Sequence, residues 1–399
     1  VEQIDVGGPA MLRAAAKNFK SVTVVPSPEF YDEVLAELEA DSQVSEETRR
    51  RLALAAFRRT AEYDAAISGW MEDCKLEGGP DDGADFPEDL TARYEKALVL
   101  RYGENPHQRA AYYARRGEGH VLSGVEKLQG KDLSFNNLGD LDAARALLAD
   151  LTDFGDRPSA VIFKHANPCG AAVGATPGEA YDKALAADPL SAFGGVVALS
   201  SSVDGELARK ISEVFTEVLI SPGFTPEARE VFAAKPNMIV LQAGPLQLPE
   251  ISLRHVTGGL LLQDSDRTGD EAEYRVVTED HPSGEQMSDL LFAWRVARSV
   301  KSNAIVLVEN GATVGIGAGQ MSRVDSSEIA VKKAGDRVSG AVAASDAFFP
   351  FADGVEALAE AGVTAVIQPG GSRRDEEVVE AANRHGVSMV FTGRRHFLH

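Results

Sequence analysis

The chain has 399 residues, more than one hydrophobic core ordinarily serves, so two or three domains are expected. A hydrophobic fraction of 44% with 25% charged residues fits a globular protein, and a net charge of −21 argues against a broad nucleic-acid or membrane surface while leaving room for local anion sites. Two cysteines far apart, Cys74 and Cys169, make neither a disulfide framework nor a Cys-x-x-Cys metal site; a reducing cytoplasm is expected, and no apolar run approaches the ~18–20 residues of a membrane span.

In chain order, Gly7-Gly8-Pro9 reads as a turn opening a helix over Ala10–Asn18, and the β-branched Ser21–Val25 reads as a strand. Asp5, the glycine pair and Lys17 suggest a weak anion site at the helix N-terminus. Ser27-Pro28 opens a helix to about Ala40, and a longer one runs from Ser45 to Asp73 with an apolar stripe at Leu52, Leu54, Ala55, Phe57 and Ile67. Its arginines Arg49, Arg50, Arg51, Arg58 and Arg59 are read as a solvated face balanced by nearby acids. Residues 76–90, acidic and rich in Gly and Pro, read as a linker. Val1 stands where Met would be expected, which suggests that natural sequence precedes it.

Beyond the linker, helices and strands alternate to Gln242, which argues a mostly parallel sheet with helices on both faces. Ala97–Leu100 is a strand with Arg101 at its end, and Leu133–Leu138 leads into a helix over Asp140–Leu151. Ala160–Phe163 is a buried strand with Lys164 and His165 at its end, and Asn167-Pro168 and Cys169-Gly170 punctuate the turn that follows. An unpaired ammonium is costly to bury, so Lys164 and His165 either face a site or form a paired structural feature. Asp188–Gly195 precedes a strand over Val196–Leu199. Near residue 285 the pattern begins again: a helix over Gln286–Ser299, Val300–Asn303, and a hairpin over Ala304–Ile316 turning at Asn310-Gly311. Gly315–Arg323 has the wrong spacing for a Rossmann or P-loop fingerprint but suits a phosphate-cradling turn capping the helix after Ser322. Ser345–Asp353, a strand over Thr364–Gln368, a helix to Asn383, a strand over Ser388–Phe391 and a tail ending in His399 complete what looks like a faint pseudo-repeat.

If the strand-end clusters converge, they assemble Arg101, Lys164, His165, Lys301, Asn303, Arg323 and Arg395, with Phe348 and Phe351 as flat apolar surfaces. Arginines suit phosphate or carboxylate, aromatics a heterocycle, an imidazole general-base work, and an asparagine a carbonyl oxygen. This is a kit for group transfer between anionic, ring-containing substrates. It has no Ser or Cys nucleophile with an obvious partner and no zinc-deaminase signature, and Cys169 is read as packing. Two other readings stand beside it: a non-catalytic nucleotide-binding module, and a deaminase-like hydrolase on the same fold.

Taken together, Ile4–Gly8 with Ala14–Asn18, Leu100–Gln108, Lys164–Gly170, Asp188–Gly195, Lys301–Asn303, Gly315–Arg323, Ser345–Phe351 and the His-terminated tail resemble, in order and along the whole chain, the bifunctional purine-biosynthesis family that combines AICAR transformylase with IMP cyclohydrolase. The resemblance implies formyl transfer from 10-formyltetrahydrofolate, as co-substrate, to the 5-amino group of AICAR. It implies His165 as the base, Lys164 assisting the folate leaving nitrogen, and Asn303 orienting the formyl oxygen. It further implies Arg101, Tyr102, Asn137, Gly195 and Arg395 at the nucleotide, and Phe348, Phe351, Asp353 and Ser372 along the shared folate pocket. The implied fold is α/β: residues 1–90 the C-terminal part of an MGS-like α/β cyclohydrolase domain, with Asp5, Gly7, Gly8 and Lys17 from its site, and residues 91–399 the transformylase, two cytidine-deaminase-like α/β/α units at about 91–280 and 281–399. No zinc, an optional monovalent cation, a cytoplasmic homodimer with the site at its interface, and no nucleic-acid or membrane partner are implied as well. Because the family's cyclohydrolase domain is longer, the expectation is that the chain as given does not cyclise FAICAR to IMP.

Overall fold

The computed structural model describes residues 1–73, 86, 90, 92, 94–115, 119–267 and 274–399. Cys74 and, apart from Phe86 and Leu90, the expected linker lie outside the described residues. The chain divides into two compact units, Val1–Arg93 and Tyr94–His399.

Helices Gly7–Lys17, Tyr31–Asp41 and Glu46–Asp73 make up the described part of the first unit, with a 3₁₀ turn at Pro28–Phe30. Ala16, Val34, Val44, Leu52, Ala53 and Ala56 form its core. The strand expected over Ser21–Val25 is not formed. Val24 is buried in this helical core, and a strand with no neighbour cannot satisfy its backbone groups. In the arginine run Arg50, Arg51, Arg58 and Arg59 are exposed and Arg51 pairs with Glu33, as expected of a solvated face balanced by acids; Arg49 alone turns inward, donating to the carbonyls of Phe19, at 2.9 Å, and Val44.

In the second unit a 12-stranded sheet runs, in spatial order, through Arg275–Val276, Ser388–Phe391, Ala365–Gln368, Val342–Ser345, Ile305–Glu309, Ala312–Gly317, Asn167–Val173, Ser159–Lys164, Gly195–Leu199, Thr216–Ser221, Ile239–Gln242 and Glu126–Gln129. The expected mostly parallel sheet is mixed. Only the pairs among Gly195–Leu199, Thr216–Ser221 and Ile239–Gln242, and among Val342–Ser345, Ala365–Gln368 and Ser388–Phe391, run parallel. The reason is connection length: two residues separate Lys164 from Asn167 and Glu309 from Ala312, and a parallel pair needs a crossover of a dozen residues or more.

The strand order is a palindrome about the centre. In each half a hairpin is followed outward, beside its first strand, by three later strands and then an edge strand, and the two hairpins meet where Ala312 pairs with Ala172. There the Thr313 hydroxyl accepts from the Ala171 N–H at 3.0 Å and donates to its carbonyl at 3.2 Å. Helices Phe135–Phe154 and Gly284–Arg298 pack side by side on one face, over a core that runs through both halves from Leu141 and Leu147 to Trp294, Val306 and Ile367. The other face carries a separate core in each half. Because the halves are antiparallel at their junction, the 164–167 turn shares an edge with the carboxyl ends of the parallel strands of the second half.

Candidate active site

The hairpin turn at this edge is His165-Ala166, not the Asn-Pro and Cys-Gly that the sequence suggested. Asn167–Val173 is already the return strand. Pro168, which lacks an N–H, is accommodated at a register shift opposite Ile162 and Phe163. Both turn residues have positive φ, 54° at His165 and 59° at Ala166, as in a type I′ turn, although neither is glycine. The turn is held on both sides. The Ala166 N–H donates to Asp140 Oδ1 at 2.7 Å, and Asn167 Oδ1 accepts from the Lys301 N–H at 3.0 Å. The His165 ring therefore stands exposed at the tip of a rigid strand pair.

Lys164 points back from the strand end and donates to the Gly194 carbonyl at 2.9 Å. The glycine pair is required by geometry. Gly194 has φ 69°, and a Cβ on Gly195 would lie 2.7 Å from the Phe163 carbonyl. Gly194 in turn donates to the Phe215 carbonyl at 2.6 Å. This leads to a polar cluster two residues on, where Glu217 accepts from Lys131 at 2.8 Å and Arg101 at 3.4 Å. Arg101 also reaches Asn137 Oδ1 at 3.3 Å and lies 5.1 Å from the Tyr102 ring. Asn137 is the N3 residue of a capping box with Ser134, so the helix starts at Phe135, five residues before the position expected. Burial alone would raise the Glu217 carboxyl, but Lys131, Arg101 and Asn137 outweigh it and hold it below the usual range.

A cleft of about 310 Å³ opens beside the turn, lined by Lys164, His165, Asn167, Cys169, Asp188 and Lys333 among others. Cys169 is no nucleophile here. Its thiol donates to the Ile162 carbonyl at 3.4 Å, and burial, then Asp188, pushes its pKa up to about 12.

The second group of candidates lies in loops and helix starts at the same edge. Arg323, expected among the converging residues, is buried: it pairs with the buried Asp346 and donates to Ser345 at 2.7 Å and Asn303 Oδ1 at 2.6 Å. The Asn303 amide nitrogen donates to the carbonyls of Gln320, at 2.8 Å, and Met321, at 3.2 Å, so its carboxamide is fully engaged. Lys301 Nζ donates to the His399 carbonyl at 2.7 Å, and burial, then Arg254, lowers its pKa. Arg395 sits 4.5 Å from the Phe397 ring and Arg374 4.6 Å from Phe351. Asp353 and Ser372 stand at the starts of helices Asp353–Glu360 and Asp375–Arg384, where the Gly354 N–H donates to Asp353 and the Ser372 N–H to Asp375. Phe348 is half-buried, and the fully buried ring in its segment is Phe349. These residues share the edge, but only Lys164 and His165 among the candidates line the cleft. In the first unit, Asp5 accepts from the Gly8 N–H at 2.9 Å, while Lys17 ends the same helix. The helix between them is roughly 15 Å long.

Sequence reasoning missed Glu217, Lys131, Asp140, Asp346 and Lys333. Asp188 had a signal, since Asp-Pro-x-Ser is a helix-start pattern. The others gain meaning only through partners distant in sequence.

The chain matches the family model described as the AICARFT/IMPCHase bienzyme over residues 15–333. It is 49% identical over 403 residues to the bifunctional purine biosynthesis protein PurH of Anoxybacillus flavithermus, covering all of this chain and 77% of that protein. It is 50% identical over 414 residues to PurH of Cereibacter sphaeroides and 47% identical over 404 residues to that of Halalkalibacterium halodurans, with the same coverage.

Proposed function

This chain belongs to the AICARFT/IMPCHase bienzyme family of purine biosynthesis, and from that premise we propose that its Lys164-His165 turn carries the formyl transfer from 10-formyltetrahydrofolate to AICAR. The observation behind the reading is an imidazole exposed at the tip of a clamped hairpin, beside a lysine anchored on Gly194. The 5-amino nitrogen of AICAR forms a bond to the formyl carbon, and the bond from that carbon to folate N10 breaks. The amine proton passes to His165, and Lys164 supplies a proton toward N10. Arg101, Tyr102, Asn137, Gly195 and Arg395 hold the nucleotide, with Glu217 added to them. Phe348, Phe351, Asp353 and Ser372 line the folate side. Asn303 orients the formyl oxygen once substrate displaces its longer bond, that to the Met321 carbonyl.

The palindromic halves are consistent with two deaminase-like units, and Val1–Arg93 with part of an MGS-like cyclohydrolase domain containing Asp5, Gly7, Gly8 and Lys17. Leu190, Phe193, Phe215 and Met321, exposed apolar residues at the active-site edge, support a homodimer with the site at its interface. A monovalent cation and a cytoplasmic setting complete the reading. No helix among the described residues is long and apolar enough to cross a membrane.

The test is formyl transfer followed by tetrahydrofolate absorbance in wild type and His165→Ala. We expect wild-type turnover and a loss on the order of 10³-fold in the variant, with unchanged melting. A folded variant that still turns over would remove His165 from the mechanism. A wild type that binds AICAR without transfer would favour a binding module.

A further inference from the structure

The two halves of the sheet use the same device to build their hairpin turns. In the first half, a helix opened by a Ser134–Asn137 capping box carries Asp140, six residues after the cap. Asp140 accepts the Ala166 N–H at 2.7 Å. In the second half, a helix opened by a Ser283–Gln286 capping box carries Asp289, also six residues after its cap. Asp289 accepts the Asn310 N–H at 2.8 Å and the Gly311 N–H at 2.7 Å. Both turns have positive φ at their two central residues, 54° and 59° in the first, 53° and 70° in the second. One element is therefore repeated: a capped helix, a half-buried aspartate, and a two-residue turn that the carboxylate clamps.

The copies differ in what the turn holds. Asn310-Gly311 is the pair such a turn prefers. His165-Ala166 is not, because the left-handed region costs a non-glycine residue roughly 1–2 kcal/mol. The turn that presents the imidazole is thus the one with unfavourable residues, and the Asp140 carboxylate is its clamp from the helix side. The opposite turn, on the far edge of the sheet, has favourable residues and presents no imidazole.

We infer that Asp140 is the positioning residue for the general base: by holding the Ala166 N–H it keeps the 165–166 turn in its left-handed form and so fixes where the His165 ring stands. This rests on the reading of His165 as the base. Asp140 acts through the turn and contacts no reacting atom in this role. A displacement of the ring by about 1 Å is enough to cost on the order of 10²-fold in rate.

The experiment compares Asp140→Ala, Asp140→Asn, the double variant Asp140→Ala with Ala166→Gly, and Asp289→Ala, alongside His165→Ala. Each is assayed for kcat and KM in formyl transfer and for melting. Asp140→Ala is expected to lower kcat on the order of 10²-fold with little change in the KM for AICAR. Asp140→Asn keeps an oxygen acceptor and is expected to lose much less. Glycine at position 166 removes the left-handed penalty, so the double variant should fold and recover about tenfold of the lost kcat. Asp289→Ala cuts the equivalent clamp on the far turn and is expected to lower melting without changing kcat. The inference is overturned if Asp140→Ala keeps kcat within about twofold, if glycine at 166 restores nothing, if Asp140→Asn is as impaired as Asp140→Ala, or if Asp289→Ala lowers kcat equally. Full turnover in His165→Ala would overturn the underlying reading of the base, while an inactive His165→Ala beside a fully active Asp140→Ala would overturn this inference alone.

Discussion

At the scale of single residues, the stretch from Lys164 to Cys169 separates chemistry from packing within six positions. His165 is exposed at a tip, while Cys169 faces inward with its thiol on the Ile162 carbonyl. With its pKa pushed to about 12, roughly one Cys169 thiol in 10⁴ is ionised at pH 8. Iodoacetamide at that pH should leave Cys169 unlabelled in the native protein, as read by peptide mapping, and Cys169→Ala should keep turnover near wild type. Rapid labelling that tracks loss of activity would contradict this. The sequence made His165 legible because an apolar strand run ended in a cation and an imidazole. The engaged state of Asn303 was not legible, because its partner Arg323 lies 20 residues away and turns inward to Asp346.

At the scale of elements, local signals read well and strand directions did not. Capping serines, the Asn310-Gly311 turn and the periodic helices are short-range effects. Whether neighbouring strands run parallel depends on how a chain returns, and counting helices and strands in order does not encode that. The lengths of the two hairpin loops did carry the answer. Asp188 shows how one local cap acquires a long-range role. It accepts the Ser191 N–H at 3.0 Å and hydroxyl at 2.6 Å to start helix Pro189–Ala192, and it also pairs with Lys333 of helix Arg323–Ala334. Burial alone would raise its carboxyl, but Lys333 and Ser191 outweigh that and hold it below the usual range. A depressed carboxyl contributes stability above its unfolded pKa, about 3.9, and loses it as pH falls through the folded value. In urea unfolding, the gap between wild type and Asp188→Asn, less than about 1 kcal/mol for so exposed a lysine partner, should hold from pH 7 to 5 and shrink only below about pH 4. A gap already closed at pH 5 would show that the carboxyl is not depressed.

At the scale of the whole second unit, the question is whether the two halves of the sheet unfold together. On one face each half has its own core, but on the other a single core spans both. There Asp150, near the end of helix Phe135–Phe154, pairs with Arg295 at 2.9 Å and Arg298 at 3.0 Å from helix Gly284–Arg298. All three groups are largely buried, so removing the carboxylate breaks two buried ion pairs at once, at a cost of about 3–5 kcal/mol. The shared core predicts one cooperative transition for Tyr94–His399, and Asp150→Ala should lower its midpoint as a single step. Calorimetry that resolved two transitions in wild type would mean that the halves are independent folding units. The faint pseudo-repeat in the sequence was visible only as a recurrence of element lengths. The palindrome it encodes depends on the antiparallel contact of Ala172 with Ala312, a pairing between residues 140 positions apart that no local pattern announces. That contact also turns the second half over, so that the ends of its parallel strands come to lie beside the His165 turn, and the active-site edge is a product of the join between the halves as much as of either half alone.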